Sequence, residues 1–238
     1  MPTFQVRRSE IDKGLFTLAG REAHHLTHVL RAAPRELLRI TDREGNLFEA
    51  RVVEVENGVT LQVERPLPAP PLPCPVHLFL ALLKAEKMEF VVQKAVELNI
   101  ESVHFVIPKR SIVREISPQK WKRLRTIAFE SAKQCGRLAA LNLVEPLPVD
   151  GLMERLQKSM SHFIFRESGD RETVRNLLKK YDVSPPYGLW IGPEGGWEEE
   201  EIQTSLRLGF LPATLGPLTL RAETAAIHAI SSVLALAF

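Results

Sequence analysis

Apolar and polar positions alternate differently on the two sides of a proline run. Before it, apolar residues gather in short strand-like stretches at Leu37–Thr41, Leu47–Val55 and Val59–Val63. Asp42-Arg43-Glu44-Gly45-Asn46 separates the first two and has a turn composition, and Asn57-Gly58, a pair that favours a type I′ hairpin, precedes the third. Upstream, Leu26, Val29 and Leu30 stand at i, i+3 and i+4, the spacing of a short amphipathic helix. One helix with several antiparallel strands predicts a small β-barrel module. Residues 1–20 add little beyond the pair Arg7-Arg8.

The run from Pro66 to Pro75 holds six prolines in ten residues. Such a stretch forms neither a helix nor an inner strand and reads as a stiff, extended connector. It sets a boundary between domains at residues 1–70 and 71–238.

Beyond it the pattern switches to strand, helix, strand, helix. Strands are predicted at Val76–Leu83, Ser102–Ile107, Leu141–Val144, His162–Phe165, Tyr187–Ile191 and Phe210–Leu215. Helices are predicted between them at Lys87–Leu98, Pro118–Gln134, Gly151–Lys158, Glu172–Lys180 and Glu198–Leu208. This order implies an α/β domain with a parallel sheet and helices on both faces. A last helix, Ala222–Ala237, is apolar on nearly every side and is expected to be buried on more than one face, in the core or at a subunit interface.

Charge refines the picture only when it is divided. The net charge of +2 hides a surplus in the middle third, where residues 73–137 carry 12 Lys/Arg against 6 Asp/Glu. A local surplus suggests an anionic partner, of which nucleic acid is the commonest large one, although a solvated basic helix face is the alternative. No apolar run approaches the roughly 20 residues that a membrane span needs. The opening MPTFQVRRSE lacks a signal-peptide core, so a cytoplasmic location is expected. Cys74 and Cys135 stand far apart without a CxxC, which argues against a disulfide framework or a zinc site.

Candidate chemistry falls in three places. His24 and His28 share a helix face, but a metal site needs a third ligand, so none is expected; instead Arg21, His25 and Arg31 could face phosphates. Lys109 and Arg110 follow a strand at its C-terminal end, and Arg137 follows the helix stop Gly136; all three are candidates for phosphate contacts. Finally, two apolar strands each run into a Gly-Pro loop that opens a helix, at Ile191-Gly192-Pro193-Glu194-Gly195-Gly196 and at Leu215-Gly216-Pro217-Leu218-Thr219-Leu220-Arg221. If the two strands are close in the sheet, the loops meet over one cleft, with Arg221 as a fixed positive charge. Glu223 and Thr224 could serve there or only cap the final helix. The spacing is neither G-x-G-x-x-G nor a P-loop, which disfavours a nucleotide-dependent oxidoreductase.

The combination of GPEGG, LGPLTLRAETAA, EKMEFVVQKAVELNI, KQCGR and HHLTHVLR resembles the 16S ribosomal RNA uracil-N3 methyltransferases, within the SPOUT class of knotted methyltransferases. The resemblance covers nearly the whole chain. It implies a PUA-like barrel that helps to hold RNA, an α/β domain with a deep trefoil knot, a homodimer, and no membrane association. It also implies S-adenosylmethionine held against Ile191, Gly192, Pro193, Gly195 and Gly196 on one side and Leu215, Gly216, Leu218, Leu220 and Thr224 on the other. In that reading Arg221 stabilises charge on the uracil, Glu194 or Glu223 helps to remove its N3 proton, and small-subunit 16S rRNA is the partner. A related enzyme acting on tRNA or a ribose 2′-hydroxyl, and a non-catalytic RNA-binding assembly factor, remain open as alternatives.

Overall fold

The computed structural model describes residues 3–237 apart from 30, 43–45, 57, 69–73, 138, 139, 157–159, 168–170 and 182, and apart from the side chains at 3, 5, 21, 22 and 237. The chain forms two compact units, residues 1–71 with 132–140, and residues 72–131 with 141–238.

In the first unit, β1 (Thr3–Gln5), α1 (Arg8–Ile11) and β2 (Leu15–Leu18) occupy the segment with few sequence signals. Helix α2 (Gly20–His24) continues into a π-helical turn, His25–Val29, and then β3 (Leu37–Thr41), β4 (Leu47–Glu54) and β5 (Val59–Leu67) follow. The strands form one sheet in the order β1-β3-β4-β5-β2, in which only the β1–β3 pair is parallel. Leu26, Ile40, Val59 and Leu61 are fully buried at its centre.

Three local expectations change. The π turn rotates Val29 outward to 63% exposure while Leu26 stays buried, so the expected i, i+3 face does not form, and Leu30 lies outside the described residues. The register of β4 against β5 shifts between Glu49 and Ala50, and the inward parity changes there, from Leu47 to Ala50 and Val52. Strand β5 runs on to Leu67, so it includes Pro66. This is possible because β2 pairs only with residues 59–62, and the Pro66 segment is paired on one side alone. The Asn57 position lies outside the described residues.

The second unit is built on a seven-stranded sheet. Its elements are β6 (Val76–Ala81), α3 (Ala85–Glu97), β7 (Ser102–Ile107), α4 (Pro118–Cys135), β8 (Asn142–Pro148) and α5 (Leu152–Leu156). Then come β9 (Ser161–Phe165), β10 (Glu172–Thr173), α6 (Val174–Lys180), β11 (Tyr187–Ile191), α7 (Glu199–Arg207), β12 (Leu211–Thr214) and α8 (Ala222–Ala237). Every pairing in this sheet is parallel, in the order β10-β12-β9-β11-β6-β7-β8. The central strands are continuous apolar runs because both of their faces are covered. Phe79, Ile164 and Trp190 pack with Leu152 and Met153 of α5 and Ile202 of α7, while α8 lies on β6 and β11 beside α3.

Two departures matter for function. β11 inserts between β6 and β9, and β12 lies beyond β9, so the strands that carry the two Gly-Pro loops are not neighbours. Helix α8 buries one stripe, Ala226, Ala229, Ile230 and Val233, and leaves Leu236 37% exposed. Burial on more than one face is not realised within the single chain. Among the described residues no helix is long and apolar enough to cross a membrane.

Candidate active site

A cavity of about 430 Å³ opens at the C-terminal ends of β9, β11 and β12. Both Gly-Pro loops form its walls. Ile191 to Gly196 line one side, and Leu215, Gly216, Leu218, Leu220 and Arg221 the other. Thr224 and Glu223 sit in the first turn of α8 and are not among the cavity's lining residues. Ligand sites in open α/β sheets lie outside the C-terminal ends of the strands, which is where this cavity opens.

The strand between the two loops supplies the part of the site that loop motifs alone did not indicate. β9 ends at Phe165, and Phe165, Arg166, Glu167 and Arg171 line the cavity. The available signal was the strand itself, since the residues that follow a parallel strand are the usual place for function. Trp197 Nε1 donates to Phe165 O at 3.0 Å and fastens the first loop to this strand end.

The glycines of the first loop have internal reasons to be glycine. A Cβ at Gly192 would stand 3.0 Å from Trp197 Nε1, and one at Gly195 would stand 3.4 Å from Arg110 Cβ. At Gly196 the space is open, but φ is +70°, a left-handed conformation that glycine adopts without strain. Close approach at Gly192 and Gly195 is therefore made by the protein's own side chains.

The basic residues near the cleft are held by the acidic run at 198–201. Arg110 lines the cavity, donates from Nε and Nη2 to both oxygens of Glu198, and donates from Nη1 to Gly195 O at 3.3 Å. Lys109 Nζ pairs with Glu200, while the Lys109 backbone N–H donates to Glu201 Oε1 at 2.9 Å. Glu201 is buried and also accepts the Glu198 N–H at 2.8 Å, which closes the capping box of α7. These hydrogen bonds hold the Glu198 and Glu200 carboxylates below, and the Lys109 and Arg110 cations above, their ordinary pKa ranges.

Lys87, on α3, links the first loop to the first turn of α8. Its Nζ donates to Glu194 Oε1 at 2.9 Å and lies 3.5 Å from Glu223 Oε2. The Lys87 hydrogen bond keeps the Glu194 carboxyl below the usual carboxylate range. Arg221 is exposed, just ahead of α8, and its carbonyl accepts the Ala225 N–H at 2.8 Å.

The remaining residues expected to touch RNA lie in the first unit. His25 is exposed with its ring edge-on to Phe4, Arg31 is exposed, Arg137 falls in the 132–140 segment, and the Arg21 side chain is outside the described residues. The His24 and His28 rings stack 4.2 Å apart.

Comparison with known proteins agrees with this arrangement. Residues 70–234 match a family described as an RNA methyltransferase domain, and residues 18–64 match an RNA methyltransferase PUA domain. Ribosomal RNA small subunit methyltransferase E from Synechocystis is 26% identical over 232 residues, which cover 97% of this chain and 76% of the relative. A Legionella pneumophila protein, solved with S-adenosylmethionine bound, is 32% identical with a TM-score of 0.71 over 93% of this chain and 92% of that one. Ribosomal RNA small subunit methyltransferase E from Neisseria gonorrhoeae, bound to S-adenosylmethionine, is 25% identical with a TM-score of 0.73 over 99% and 98%. With a parallel α/β sheet, a PUA-like N-terminal domain and a family match across most of its length, this chain belongs to the RNA methyltransferase family.

Proposed function

We propose that this protein transfers a methyl group from S-adenosylmethionine to N3 of a uridine in 16S ribosomal RNA of the small subunit. The observation that carries the reading is the convergence of both Gly-Pro loops and the end of β9 on one cavity, in a chain of this family. Residues 1–70 act as the PUA-like domain that holds RNA, and residues 71–238 act as the methyltransferase domain, with a trefoil knot involving the second loop. The enzyme works as a homodimer in the cytoplasm, and Arg21, His25, Arg31, Lys109, Arg110 and Arg137 contact RNA phosphates.

The cavity suits the methyl donor in size and in chemistry. Its walls present loop backbone, able to hydrogen-bond an adenosine, and its volume falls in the range of small-molecule sites. When bound, S-adenosylmethionine supplies an electrophilic methyl on a sulfonium. The protein's task is then to present N3 in line and to stabilise charge. N3 of uracil carries a proton at pH 7, and its removal spreads negative charge over O2 and O4. Arg221 lines the cavity with a planar fork of donors, so it stabilises that charge. Glu194, held ionised by Lys87, is a proton acceptor of low basicity, which places more of the catalytic effect on Arg221. Glu223 stands second to Glu194 as an acceptor.

The test is incubation with labelled S-adenosylmethionine and unmethylated 30S subunits, followed by mapping of the modified base. One N3-methyluridine in 16S rRNA is expected. Label in tRNA, on a ribose 2′-hydroxyl, or in no RNA would refute the proposal.

A further inference from the structure

Carboxylates distinguish five of the cations around the cleft, Arg171 aside. Lys87 is paired with Glu194 and Glu223, Arg110 with Glu198, and Lys109 with Glu200. Arg166 and Arg221 both line the cavity, and among the described residues neither has a carboxylate within ion-pair distance. Glu167 follows Arg166 and lines the same cavity, yet no ion pair joins the two. Arg221 is exposed, whereas Arg166 is half-buried. A partly desolvated guanidinium without a counter-charge is costly, and the cost is recovered when an anion binds.

The position of Arg166 is set by the sheet. Its backbone N–H donates to Ala213 O at 3.2 Å, and β9 lies between β11 and β12. One residue earlier, Phe165 O accepts the Trp197 indole. Arg166 therefore leaves the sheet between the two Gly-Pro loops and lines the cavity there, while Arg221 stands at the start of α8.

We propose that Arg166 binds the carboxylate of the methionine part of S-adenosylmethionine and so orients the donor in the cleft. This rests on the reading of the cleft as the methyl donor's site. The loop backbones offer dipoles to the adenosine, but the carboxylate carries a full charge and is matched by a two-pronged guanidinium. The same guanidinium repels the sulfonium, so one residue attracts one end of the amino-acid part and pushes the methyl-bearing end away from itself. An RNA phosphate shares the carboxylate's chemistry, and the experiment separates the two.

Calorimetry on the full chain would compare wild type, Arg166→Met and Arg166→Lys with S-adenosylmethionine and with its decarboxylated analogue. Binding to 30S subunits would be measured in parallel. Arg166→Met is expected to weaken S-adenosylmethionine about 10- to 100-fold, the range for a charged hydrogen-bonded pair. It should leave the decarboxylated analogue and 30S affinity unchanged, and Arg166→Lys should recover part of the loss because it keeps charge but not the fork. Wild type alone should prefer S-adenosylmethionine over the analogue by a similar factor, a comparison that needs no variant to fold. Equal affinity of wild type for the two ligands overturns the proposal. So does equal weakening of both ligands in Arg166→Met, or a loss of 30S affinity with donor binding intact. If wild type binds neither ligand, the reading of the cleft itself fails.

Discussion

Lys87 and Glu194 are 107 positions apart in the chain and meet through a 2.9 Å hydrogen bond that ties α3 to the first Gly-Pro loop. Through Glu223, 3.5 Å away, the same ammonium reaches the start of α8. Lys87 thus links the first loop to the first turn of α8 without itself lining the cleft.

Replacing Lys87 with Met should move both walls and lower turnover by about tenfold or more, because small misplacements of binding loops are costly in rate. Stability should change little, since the pair is partly exposed to solvent. Lys87→Arg should recover part of the activity. Single-turnover rates and denaturant midpoints on the three proteins check this, and unchanged turnover in Lys87→Met would remove the role.

Arg221→Ala should cut methyl transfer by about 100- to 1000-fold, as loss of a donor to developing negative charge does elsewhere. S-adenosylmethionine affinity should stay nearly intact, because the charge that Arg221 meets is on the RNA base. A binding titration beside a single-turnover assay distinguishes this from equal loss of both, which would contradict the assignment.

Glu201→Gln should destabilise the second unit. The buried carboxylate accepts from two backbone N–H groups, of Lys109 and Glu198, and an amide can replace only one of its oxygens. The remaining N–H then faces another donor, at a cost of about 1–3 kcal/mol. Urea denaturation measures it, and a change within error would show that the loop is held by other contacts.

Gly188→Ala should be among the most damaging single substitutions in β11. The added Cβ would stand 2.3 Å from His162 Nδ1. The ring cannot yield easily, because Nε2–H donates to Leu156 O at 2.9 Å and Nδ1 accepts from Trp190 Nε1 at 3.0 Å. Overpacking of this kind costs about 1–3 kcal/mol or more, readable as a lowered melting temperature.

Acid should unfold the protein earlier than its carboxylates alone would predict. Burial, with a smaller contribution from His77, lowers His104 from 6.5 to about 4. Burial likewise lowers His162 to about 4, against the opposing hydrogen bond to Leu156 O. The unfolded imidazoles take up protons near 6.5 and the folded ones near 4. The stability that comes from keeping them neutral is complete above 6.5, declines as the pH falls towards 4, and levels off below it. Each should cost about 1.4 kcal/mol per pH unit in that window. Denaturant midpoints from pH 7 to pH 4 should fall in the wild type and fall less in His104→Phe, whose ring can take the stacked place beside Phe79.

Local pattern was enough for most of the second unit. Val76–Ala81 and Tyr187–Ile191 are apolar at nearly every position, and a short run of that kind closed by Gly-Pro or a helix start is a strand covered on both faces. The exits of those strands marked the site for the same reason. Leu15–Leu18 and the π turn at His25–Val29 were not legible, because a four-residue strand and a one-turn change of helical register leave too few periods to read.

By itself the sequence determined the parallel sheet and the two loops, since each depends on neighbouring residues and their periodicity; that residues 132–140 group with the first unit was not legible in it. Only the tertiary structure decided that β9 lies between β11 and β12 and brings Arg166 into the cleft. It alone decided that Lys87, Lys109 and Arg110 are paired with carboxylates about a hundred positions away in the chain while Arg166 and Arg221 are not. Strand order and charge pairing are set by contacts between distant segments, and such contacts leave no periodic trace along the chain.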